Sequence, residues 1–430
     1  MPATLQDARR TTPTTPLVRR GATPDSRLEA LREKTLAGER LTMEDGRLLY
    51  ETPDIWSVCE IADAVRRRLH GDITYYNVNR HLNYSNVCAL SCKFCEFHRK
   101  RGDAGAYEHS MEDIRAEAAK ARDAGATEMH IVGGLHPYLP FDYYTDMIRT
   151  IRDEAPTVHI KAFTAVEVVH FAKIAKLYKG ADRKEGIRAV LKALKEAGLG
   201  SLPGGGAEVF DDRVHDEAYK GKIRSDVWLD VHRVAHELGL NTNATILYGH
   251  IERIDDRLTH MDMLRTAQDE ALSRLGYEAA PGGAVTLTRP GVELPTPAMN
   301  GRGGYFQTII PLPFFPDGSE LENLPGPGGV ENLRTLAVAR LMLDNFPHAK
   351  TFWIMQTLPM AQLQLASGAD DIDGTVVWYD ITKVGGVSTH QETTVWDLCK
   401  AIREAGFRPV ERDTVYRRVE RDGASWRVVE

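Results

Sequence analysis

Apolar runs typical of buried strands alternate with amphipathic segments typical of helices along most of the chain. The strand-like runs cover residues 75–87, 128–132, 158–163, 200–202, 241–248, 306–312, 350–356 and 369–372. The helix-like segments between them cover residues 110–123, 143–154, 183–197, 226–238, 257–275 and 329–343. This alternation predicts a parallel sheet with helical crossovers. Because seven or eight such units follow one another without a break, we expect an α/β fold of the (β/α)8 TIM-barrel type rather than an open sheet.

Segments on either side of this alternation predict further parts of the fold. Residues 26–38, 42–50 and 55–70 have the pattern of three N-terminal helices, and Thr42 with Asp45 resembles a capping pair. We therefore divide the chain into a disordered tail (1–25), N-terminal helices (26–71), a barrel (72–377) and a C-terminal extension packed on the barrel (378–430). Residues 276–304 are rich in glycine and proline and predict a loop insertion, which is either a surface loop or a lid over the barrel mouth.

Composition narrows the possible partners and the cellular compartment. The chain has 430 residues, 42% apolar residues and a net charge of −7. The net negative charge argues against nucleic acid as a partner, since proteins that bind phosphate groups normally carry an excess of basic residues. No apolar run approaches the ~20 residues that a membrane helix needs, so we expect no membrane partner. Five cysteines, three of them clustered, predict a metal site in a reducing cytoplasm. The other two, Cys59 and Cys399, are expected to be buried small residues.

The clustered cysteines are Cys88, Cys92 and Cys95, in the spacing C-x3-C-x2-C directly after the first predicted strand. Active sites of such barrels lie at the carboxyl ends of the strands, so we expect this loop on the active face. Three hypotheses remain open: a zinc site completed by His98, a chance cluster, and a four-iron cluster bound by three thiolates with one open iron. The spacing, with the aromatic Phe94 just before the last cysteine, favours the iron–sulfur cluster.

The cysteine loop resembles the signature of the radical S-adenosylmethionine superfamily. The resemblance implies a [4Fe-4S] cluster whose open iron binds the amino and carboxylate groups of S-adenosylmethionine, with Phe94 beside the cofactor. In that superfamily one electron from the cluster cleaves the sulfonium and yields a 5′-deoxyadenosyl radical. An electron donor such as flavodoxin or ferredoxin is therefore implied as a partner. The barrel then holds the radical next to its target and excludes water.

The same resemblance implies further contacts with S-adenosylmethionine. Gly133 and Gly134 end the second predicted strand and match the position where a backbone group meets the methionine amine, although a tight turn is an alternative. Glu167 is a candidate for binding the ribose hydroxyls, but Thr164 with Glu167 is also a capping box that opens the next helix. Tyr248 ends the fifth strand, which in the superfamily tends to lie beside the adenine.

Five polar residues are candidates for the cavity, and three of them, Arg80, His250 and Asp373, are the candidate catalytic residues. Arg80 and His81 in the first strand, Lys161 in the third strand and His250 after the fifth are candidates for contacts inside the cavity. The alternatives are surface salt bridges for the cations and an ordinary turn for His250. Asp373 belongs to the acidic run "DDID" at the end of the last strand, which is either part of the pocket or a solvated turn.

Longer motifs resemble one subgroup of the superfamily, the aminofutalosine synthases. They are "VHIKAFTAVE", "LPGGGAE", "NTNATILYGHIE" and "DDIDGTVV". The resemblance implies a transferase of menaquinone biosynthesis. It would add the 5′-deoxyadenosyl radical to 3-[(1-carboxyvinyl)oxy]benzoate and, with rearrangement and loss of a carboxyl group, give 6-amino-6-deoxyfutalosine. A deazaflavin (FO) synthase-like or futalosine cyclase-like enzyme and a non-catalytic Cys3His zinc protein remain open, and the long insertion at 276–304 puts the substrate in question.

Overall fold

Strands and helices alternate through the computed structural model, which describes residues 25–180, 183–375 and 392–429. The strands are β1 (Ile73–Asn77), β2 (Asn79–Leu82), β3 (Glu128–Ile131), β4 (His159–Ala162), β5 (Ser201–Leu202), β6 (Asn241–Tyr248), β7 (Phe306–Pro313), β8 (His348–Ala349), β9 (Asp371–Gly374), β10 (Arg408–Glu411), β11 (Arg418–Asp422) and β12 (Ser425–Val429). The helices are α1 (Arg27–Leu36), α2 (Met43–Glu51), α3 (Ile55–His70), α4 (Met111–Asp123), α5 (Phe141–Glu154), α6 (Ala165–Ile174), α7 (Arg183–Ala197), α8 (Asp212–Ala218), α9 (Ser225–Glu237), α10 (Ile254–Leu275), α11 (Gly329–Met342), α12 (Trp353–Gln356), α13 (Leu358–Leu365) and α14 (Val395–Glu404).

The strands β2 to β8 form a seven-stranded sheet in which strand order follows chain order and every neighbouring pair is parallel. The strand β9 lies between β8 and β1, because Lys350 forms a parallel bridge with Asp371 and the Tyr75 N–H donates to the Asp370 carbonyl at 2.7 Å. Since β1 leads directly into β2, β9 joins the two edges of the sheet. The predicted α/β barrel is confirmed.

Two predicted stretches of strand are wrong. The run 350–356 was expected to be a strand, but β8 ends at Ala349 and residues 353–356 form α12. A short apolar run fits a buried helix as well as a strand, and here the Trp353 indole donates to the Gly374 carbonyl at 2.8 Å, which anchors the helical turn. In the first predicted strand, residues 83–87 lie beyond β2 and form only isolated bridges at Ser85 and Val87 as the chain enters the cysteine loop.

The three predicted N-terminal helices are present as α1, α2 and α3. The capping pair at the start of α2 is confirmed, because the Thr42 hydroxyl accepts from Asp45 N at 3.2 Å and the Asp45 carboxylate accepts from Thr42 N at 2.8 Å. The apolar side chains on one face of α2 and of α3 are buried, as expected for amphipathic helices. The helices α2 and α3 pack on α10 and α11, the outer helices of the barrel.

The insertion 276–304 packs at the amino-terminal ends of the strands. Its buried Val285 and Leu287 form a small apolar cluster with Leu272 and Leu275 at the end of α10. Its backbone bonds there too, since Leu287 N donates to the Asp344 carbonyl at 3.0 Å, just before β8. Apart from the 3-10 helix Pro297–Gly301, the segment has no regular secondary structure. It therefore lies at the end of the barrel opposite to the cysteine loop, which does not fit a lid over the active face.

The C-terminal segment contacts the strands that close the barrel. The strand β10 pairs in parallel with β1 on the side opposite to β9. Arg412, directly after β10, forms a 2.5 Å ion pair with Asp371 of β9, and both side chains are at most 1% exposed. The predicted tail up to residue 24 and residues 376–391, which span the predicted boundary between barrel and C-terminal extension, lie outside the described residues. In the part of the chain that is described, no helix combines the length and the apolar character needed to cross a lipid bilayer.

Candidate active site

A cavity of about 290 Å³ opens at the carboxyl-terminal ends of the barrel strands. Its upper wall is formed by the cysteine loop and by the segments that follow β3, β4 and β5, and its floor is formed by polar side chains from the strands themselves. The position agrees with the rule that barrels of this kind place their reactive groups on the loops after the strands. Of the predicted site residues, the cavity is lined by Cys88, Cys92, Cys95, Phe94, Gly133, Gly134, Glu167 and Asp373.

All three clustered cysteines line this one cavity. Two backbone N–H groups, from Leu90 and Leu135, approach the Cys88 sulfur at 3.4 Å, which is the kind of donor that stabilises a thiolate or a cluster sulfur. Burial raises the pKa of Cys92 to about 11, so a free thiol here would stay protonated until a metal displaced its proton. Three sulfurs facing one space, with N–H donors behind one of them, fit an iron–sulfur cluster with three protein ligands.

The remaining cysteines take no part in the cavity. Cys59 is 4% exposed within α3, and Cys399 is 8% exposed within α14. Both are packed among apolar side chains, as predicted from their positions in amphipathic helices. The zinc hypothesis needs His98 as a fourth ligand; His98 also lines the cavity, and its Nδ1 bonds to the Cys95 carbonyl at 2.7 Å.

The glycines after β3 are required by close packing at the cavity wall. A Cβ atom on Gly133 would lie 2.6 Å from the Tyr84 ring, and one on Gly134 would lie 2.4 Å from the Val87 carbonyl oxygen. Both distances are too short for any side chain. The glycines therefore let the end of β3 approach the start of the cysteine loop, and their backbone forms part of the cavity surface.

Glu167 is buried and accepts four hydrogen bonds at the cavity wall. One carboxylate oxygen accepts from the Tyr84 hydroxyl at 2.8 Å and from Gly133 N at 3.1 Å. The other accepts from the backbone N–H and the hydroxyl of Thr164, each at 2.8 Å. The predicted capping box is therefore present, and the same carboxylate ties α6 to the glycine turn after β3. Burial raises the pKa of Glu167 to about 7 despite these four donors.

Two buried ion pairs form the polar floor of the cavity. Lys161 of β4 pairs with Glu128 of β3 at 2.6 Å, and their side chains are 6% and 1% exposed. Lys350, just after β8, pairs with Asp373 of β9 at 3.0 Å, and their side chains are 3% and 5% exposed. Burial would raise the pKa of Glu128, but the charges of Lys161 and Lys350 hold it well below its usual range. The floor therefore carries two ammonium groups, each balanced by a carboxylate.

Two histidines stand beside these ion pairs. The rings of His81 on β2 and His130 on β3 meet edge to face with their centroids 4.5 Å apart. Burial lowers the pKa of His81 to about 4 and holds that of His130 well below its usual value, so both imidazoles are neutral at neutral pH. Within the described residues, His130 Nε2 and the second carboxylate oxygen of Glu128 have no hydrogen-bond partner. A bound molecule with suitable polar groups would satisfy them.

Sequence reasoning named His81 and Lys161 as candidates but missed three of these floor residues. They are Glu128, His130 and Lys350, all of which line the cavity. A signal was available, since charged or imidazole side chains occupy every second position of an otherwise apolar strand at Glu128 and His130. Alternate residues of a strand share a face, and buried charges are rare without a partner or a function. Lys161, which was a candidate, is part of the same floor.

A third charged pair of the cavity lies beside the cysteine loop. Lys222 and Glu208 form a direct ion pair and both line the cavity, with side chains 13% and 11% exposed. The Lys222 ammonium lies 5.0 Å from the centroid of the Phe94 ring. Glu208 follows β5 and has a positive φ of 50°, an unfavourable backbone conformation for a residue with a side chain. This pair was not predicted, because Lys222 comes from a segment with no motif.

Arg80, which was predicted as a catalytic residue, is not among the residues that line the cavity. Side chains alternate along β2, so Arg80 and His81 point to opposite faces, and His81 takes the inner one. The Arg80 guanidinium faces α4 and lies 3.5 Å from the Glu117 carboxylate. The alternative of a salt bridge on the outside of the barrel is therefore the one that the structure supports.

Tyr248 and His250 also lie behind the cavity wall. Tyr248 is fully buried, and its hydroxyl donates to the Asn332 side chain of α11 at 2.8 Å. The His250 ring packs edge to face with Phe314 at 6.0 Å, and Phe314 is the residue that lines the cavity. Burial lowers the pKa of His250, which favours a neutral ring. Neither side chain lines the cavity, and the roles of Tyr248 as a cofactor contact and of His250 as a catalytic residue stay predictions.

Comparison with known proteins agrees with this geometry. Residues 82–264 match the family model of the Radical SAM superfamily, and residues 303–423 match that of the CofH/MqnC C-terminal region. The chain is 41% identical to the aminodeoxyfutalosine synthase of Thermus thermophilus over 92% of its own length and 96% of that protein. It is equally similar, at 41%, to the aminodeoxyfutalosine synthase of Streptomyces coelicolor, over 90% and 92% of the two chains.

More distant relatives share the fold and part of the sequence. A 5-amino-6-(D-ribitylamino)uracil–L-tyrosine 4-hydroxyphenyl transferase of Methanopyrus kandleri is 33% identical over 84% of this chain and 89% of its own. Among solved structures, methylornithine synthase superposes with a TM-score of 0.64 at 17% identity, over 88% of this chain and 97% of that one. These similarities, together with three cysteines in one cavity at the active face, lead to one conclusion. The chain belongs to the radical S-adenosylmethionine superfamily and, within it, to the family of the aminodeoxyfutalosine synthases.

Proposed function

We propose that the protein makes aminodeoxyfutalosine in the futalosine route to menaquinone, from S-adenosylmethionine and 3-[(1-carboxyvinyl)oxy]benzoate. The observation that carries the proposal is the cavity, which brings three cysteine thiols and two buried lysines into one space. Cys88, Cys92 and Cys95 would hold a [4Fe-4S] cluster, reduced by a donor such as flavodoxin or ferredoxin. When bound, the cluster and S-adenosylmethionine would supply the 5′-deoxyadenosyl group as a radical that adds to the enol-ether double bond of the substrate.

The residues around the cysteine loop would position S-adenosylmethionine. The backbone of Gly133 and Gly134 would face its amino group, since no side chain stands in between. The role of Glu167 is to hold that turn, because its carboxylate already accepts from Gly133 N and from Thr164. We therefore assign Glu167 as a positioning residue rather than a direct ribose ligand. Phe94 would form the wall between the cluster and Lys222.

The two lysines of the floor would bind the two carboxylates of the substrate. Lys161 and Lys350 are the ammonium groups of the floor, and each is already held by a carboxylate, Glu128 or Asp373. This pairing holds both lysine side chains in place before the substrate arrives, so little ordering entropy remains to be lost on binding. Asp373 thus acts through Lys350 as a positioning residue.

The rest of the cavity surface would shield the reactive intermediate. Apolar side chains from β6, β7 and the segments after them line the wall opposite to the cysteine loop, at Leu247, Ile310, Leu312, Phe314 and Met355. Apolar walls exclude water from the reacting atoms and so limit side reactions of a reactive intermediate. Such a surface suits a step in which a carbon radical must add to one double bond and to nothing else.

The proposal is tested by following the adenosyl group. The protein is reconstituted with iron and sulfide without oxygen, then given reductant, S-adenosylmethionine and the carboxyvinyloxy-benzoate. The expected product in the mass spectrum is an adenosyl–aryl adduct that has lost one carboxyl group. A Cys92→Ala variant serves as the matched control and should form neither the brown cluster absorption near about 400 nm nor the adduct. Free 5′-deoxyadenosine without an adduct would instead assign the protein to the hydrogen-abstracting relatives that build deazaflavins.

A further inference from the structure

The segment that carries Lys222 is fixed against the cysteine loop. Lys93 N in the loop donates to the Ala218 carbonyl at 2.9 Å. The ring of Phe94 packs edge to face on Tyr219, with the centroids 5.9 Å apart. A Cβ atom on Gly221 would lie 3.3 Å from a Leu90 methyl group, so the Gly221 backbone packs closely on the Leu90 side chain. The position of the Lys222 side chain relative to the cysteines is therefore set by packing on both sides.

Lys222 brings a positive charge to the cysteines, and Glu208 brings a weaker negative influence. The charge of Lys222 acts to lower the pKa of Cys92 and that of Cys95, against the effect of burial. The carboxylate of Glu208 acts to raise the pKa of Cys92, by less than Lys222 lowers it. Both side chains are nearly buried, so water screens these charges far less than it would at the surface.

These charges bear on the reduction of a cluster at this site. Reduction adds one electron from a low-potential reductant to the cluster, and no bond forms or breaks in that step. A nearby cation stabilises the added negative charge and raises the reduction potential, whereas a nearby carboxylate lowers it. We propose that Lys222 and Glu208 together set the reduction potential of the cluster held by Cys88, Cys92 and Cys95, with Lys222 raising it and Glu208 lowering it. This inference rests on the proposed cluster.

Because Lys222 and Glu208 shift the reduction potential in opposite directions, variants of the two residues have opposite expected results. Lys222→Met removes the cation and leaves Glu208 without its partner, so both changes act toward a lower potential. Glu208→Gln removes the carboxylate and leaves Lys222 charged, so the potential rises. Lys222→Arg keeps the positive charge and should leave the potential close to that of the unaltered protein. Lys184→Met is a matched control, because Lys184 forms a 2.9 Å ion pair with Asp230 on the outer helices, away from the cavity.

The test is a redox titration of the reconstituted proteins without S-adenosylmethionine, followed by electron paramagnetic resonance of the reduced cluster. For Lys222→Met we expect the equilibrium constant for reduction to fall at least tenfold, a midpoint lower by at least about 59 mV for one electron. For Glu208→Gln we expect a rise, and for Lys184→Met no change. A midpoint unchanged in Lys222→Met, or lowered in Glu208→Gln, would overturn the inference.

Two further outcomes keep the inference separate from the proposed function. If Lys222→Met fails to bind iron, the rise expected for Glu208→Gln and the unchanged midpoint expected for Lys222→Arg still decide the matter. If the unaltered protein itself binds no cluster, the proposed function fails and overturns the inference with it, whereas unchanged midpoints in proteins that do bind the cluster overturn the inference alone. Because the titration omits S-adenosylmethionine, a role of Lys222 in binding that molecule would not produce the expected shifts.

Discussion

Replacing Lys161 by methionine separates the structural role of the cavity floor from its role in binding. Lys161 and Glu128 form a 2.6 Å ion pair whose side chains are 6% and 1% exposed. Removing the lysine leaves a buried carboxylate without its main partner, and breaking such a pair typically costs about 3–5 kcal/mol. Lys350 and Arg412 also act on the Glu128 charge, so we expect a loss toward the lower end, about 3 kcal/mol in the free energy of unfolding.

A double variant with Glu128→Gln and Lys161→Met removes both charges. Because a buried pair replaced by neutral groups of similar volume is often as stable as the original, most of the lost unfolding free energy should return. Substrate affinity should not return with it. A hydrogen bond from a charged group is worth about 1.5–3 kcal/mol, so the loss of the Lys161 ammonium should raise the Kd for the carboxyvinyloxy-benzoate by about 10- to 150-fold.

The assays are urea denaturation for the free energy of unfolding and anaerobic calorimetric titration for the Kd. Lys120→Met is the surface control: Lys120 is 60% exposed and pairs with Glu117 within α4, so its loss should cost under about 1 kcal/mol. A Lys161→Met variant as stable as the unaltered protein would refute the electrostatic argument. A double variant that binds the substrate normally would refute Lys161 as a carboxylate-binding residue while leaving its structural role intact.

Three further outcomes are expected. Cys92→Ser should lose its cluster iron, whereas Cys59→Ala should retain it, as measured by iron content after reconstitution. Burial raises the pKa of Glu167 from 4.5 to about 7, so its contribution to stability is present below about pH 4.5 and is lost as the pH rises through 7. The free energy of unfolding of the unaltered protein should therefore fall between about pH 5 and pH 8. In denaturant titrations the Glu167→Gln variant should show a smaller fall over this range. Arg412→Met should lower the free energy of unfolding by about 3–5 kcal/mol, because it leaves the buried Asp371 without its partner. Arg417 is 50% exposed, so Arg417→Met should lower the free energy of unfolding by less than about 1 kcal/mol. Thermal or urea unfolding measures both.

The cysteine loop and the glycines after β3 could be predicted because their chemistry depends on residues close together in the chain. The barrel could be predicted for a similar reason, since each βα unit is a local pattern that repeats. The face of the sheet to which each side chain points was harder to predict. In β2 the sequence Asn79–Leu82 has polar residues on both faces, so nothing in the pattern said that His81 rather than Arg80 points inward.

The charged pair beside the cysteine loop was beyond sequence reasoning for a different reason. Glu208 and Lys222 meet only because the segment after α8 folds back onto the loop that carries Phe94. The same applies to Arg412, whose partner Asp371 lies 41 positions earlier in the chain. Contacts of this kind are decided by tertiary packing, and no local spacing encodes them.

The position of β10 has a consequence for how the chain is made. The strand β1 has its two neighbours near the other end of the chain, and Arg408 of β10 reaches Asp72 across 336 positions. During synthesis from the N-terminus, β1 therefore emerges long before either partner exists. Its unpaired edge is the kind of surface that recruits other strands when folding is slow. The risk of aggregation in the nascent chain is thus set by the late arrival of β9 and β10, far from the chemistry that the finished barrel encloses.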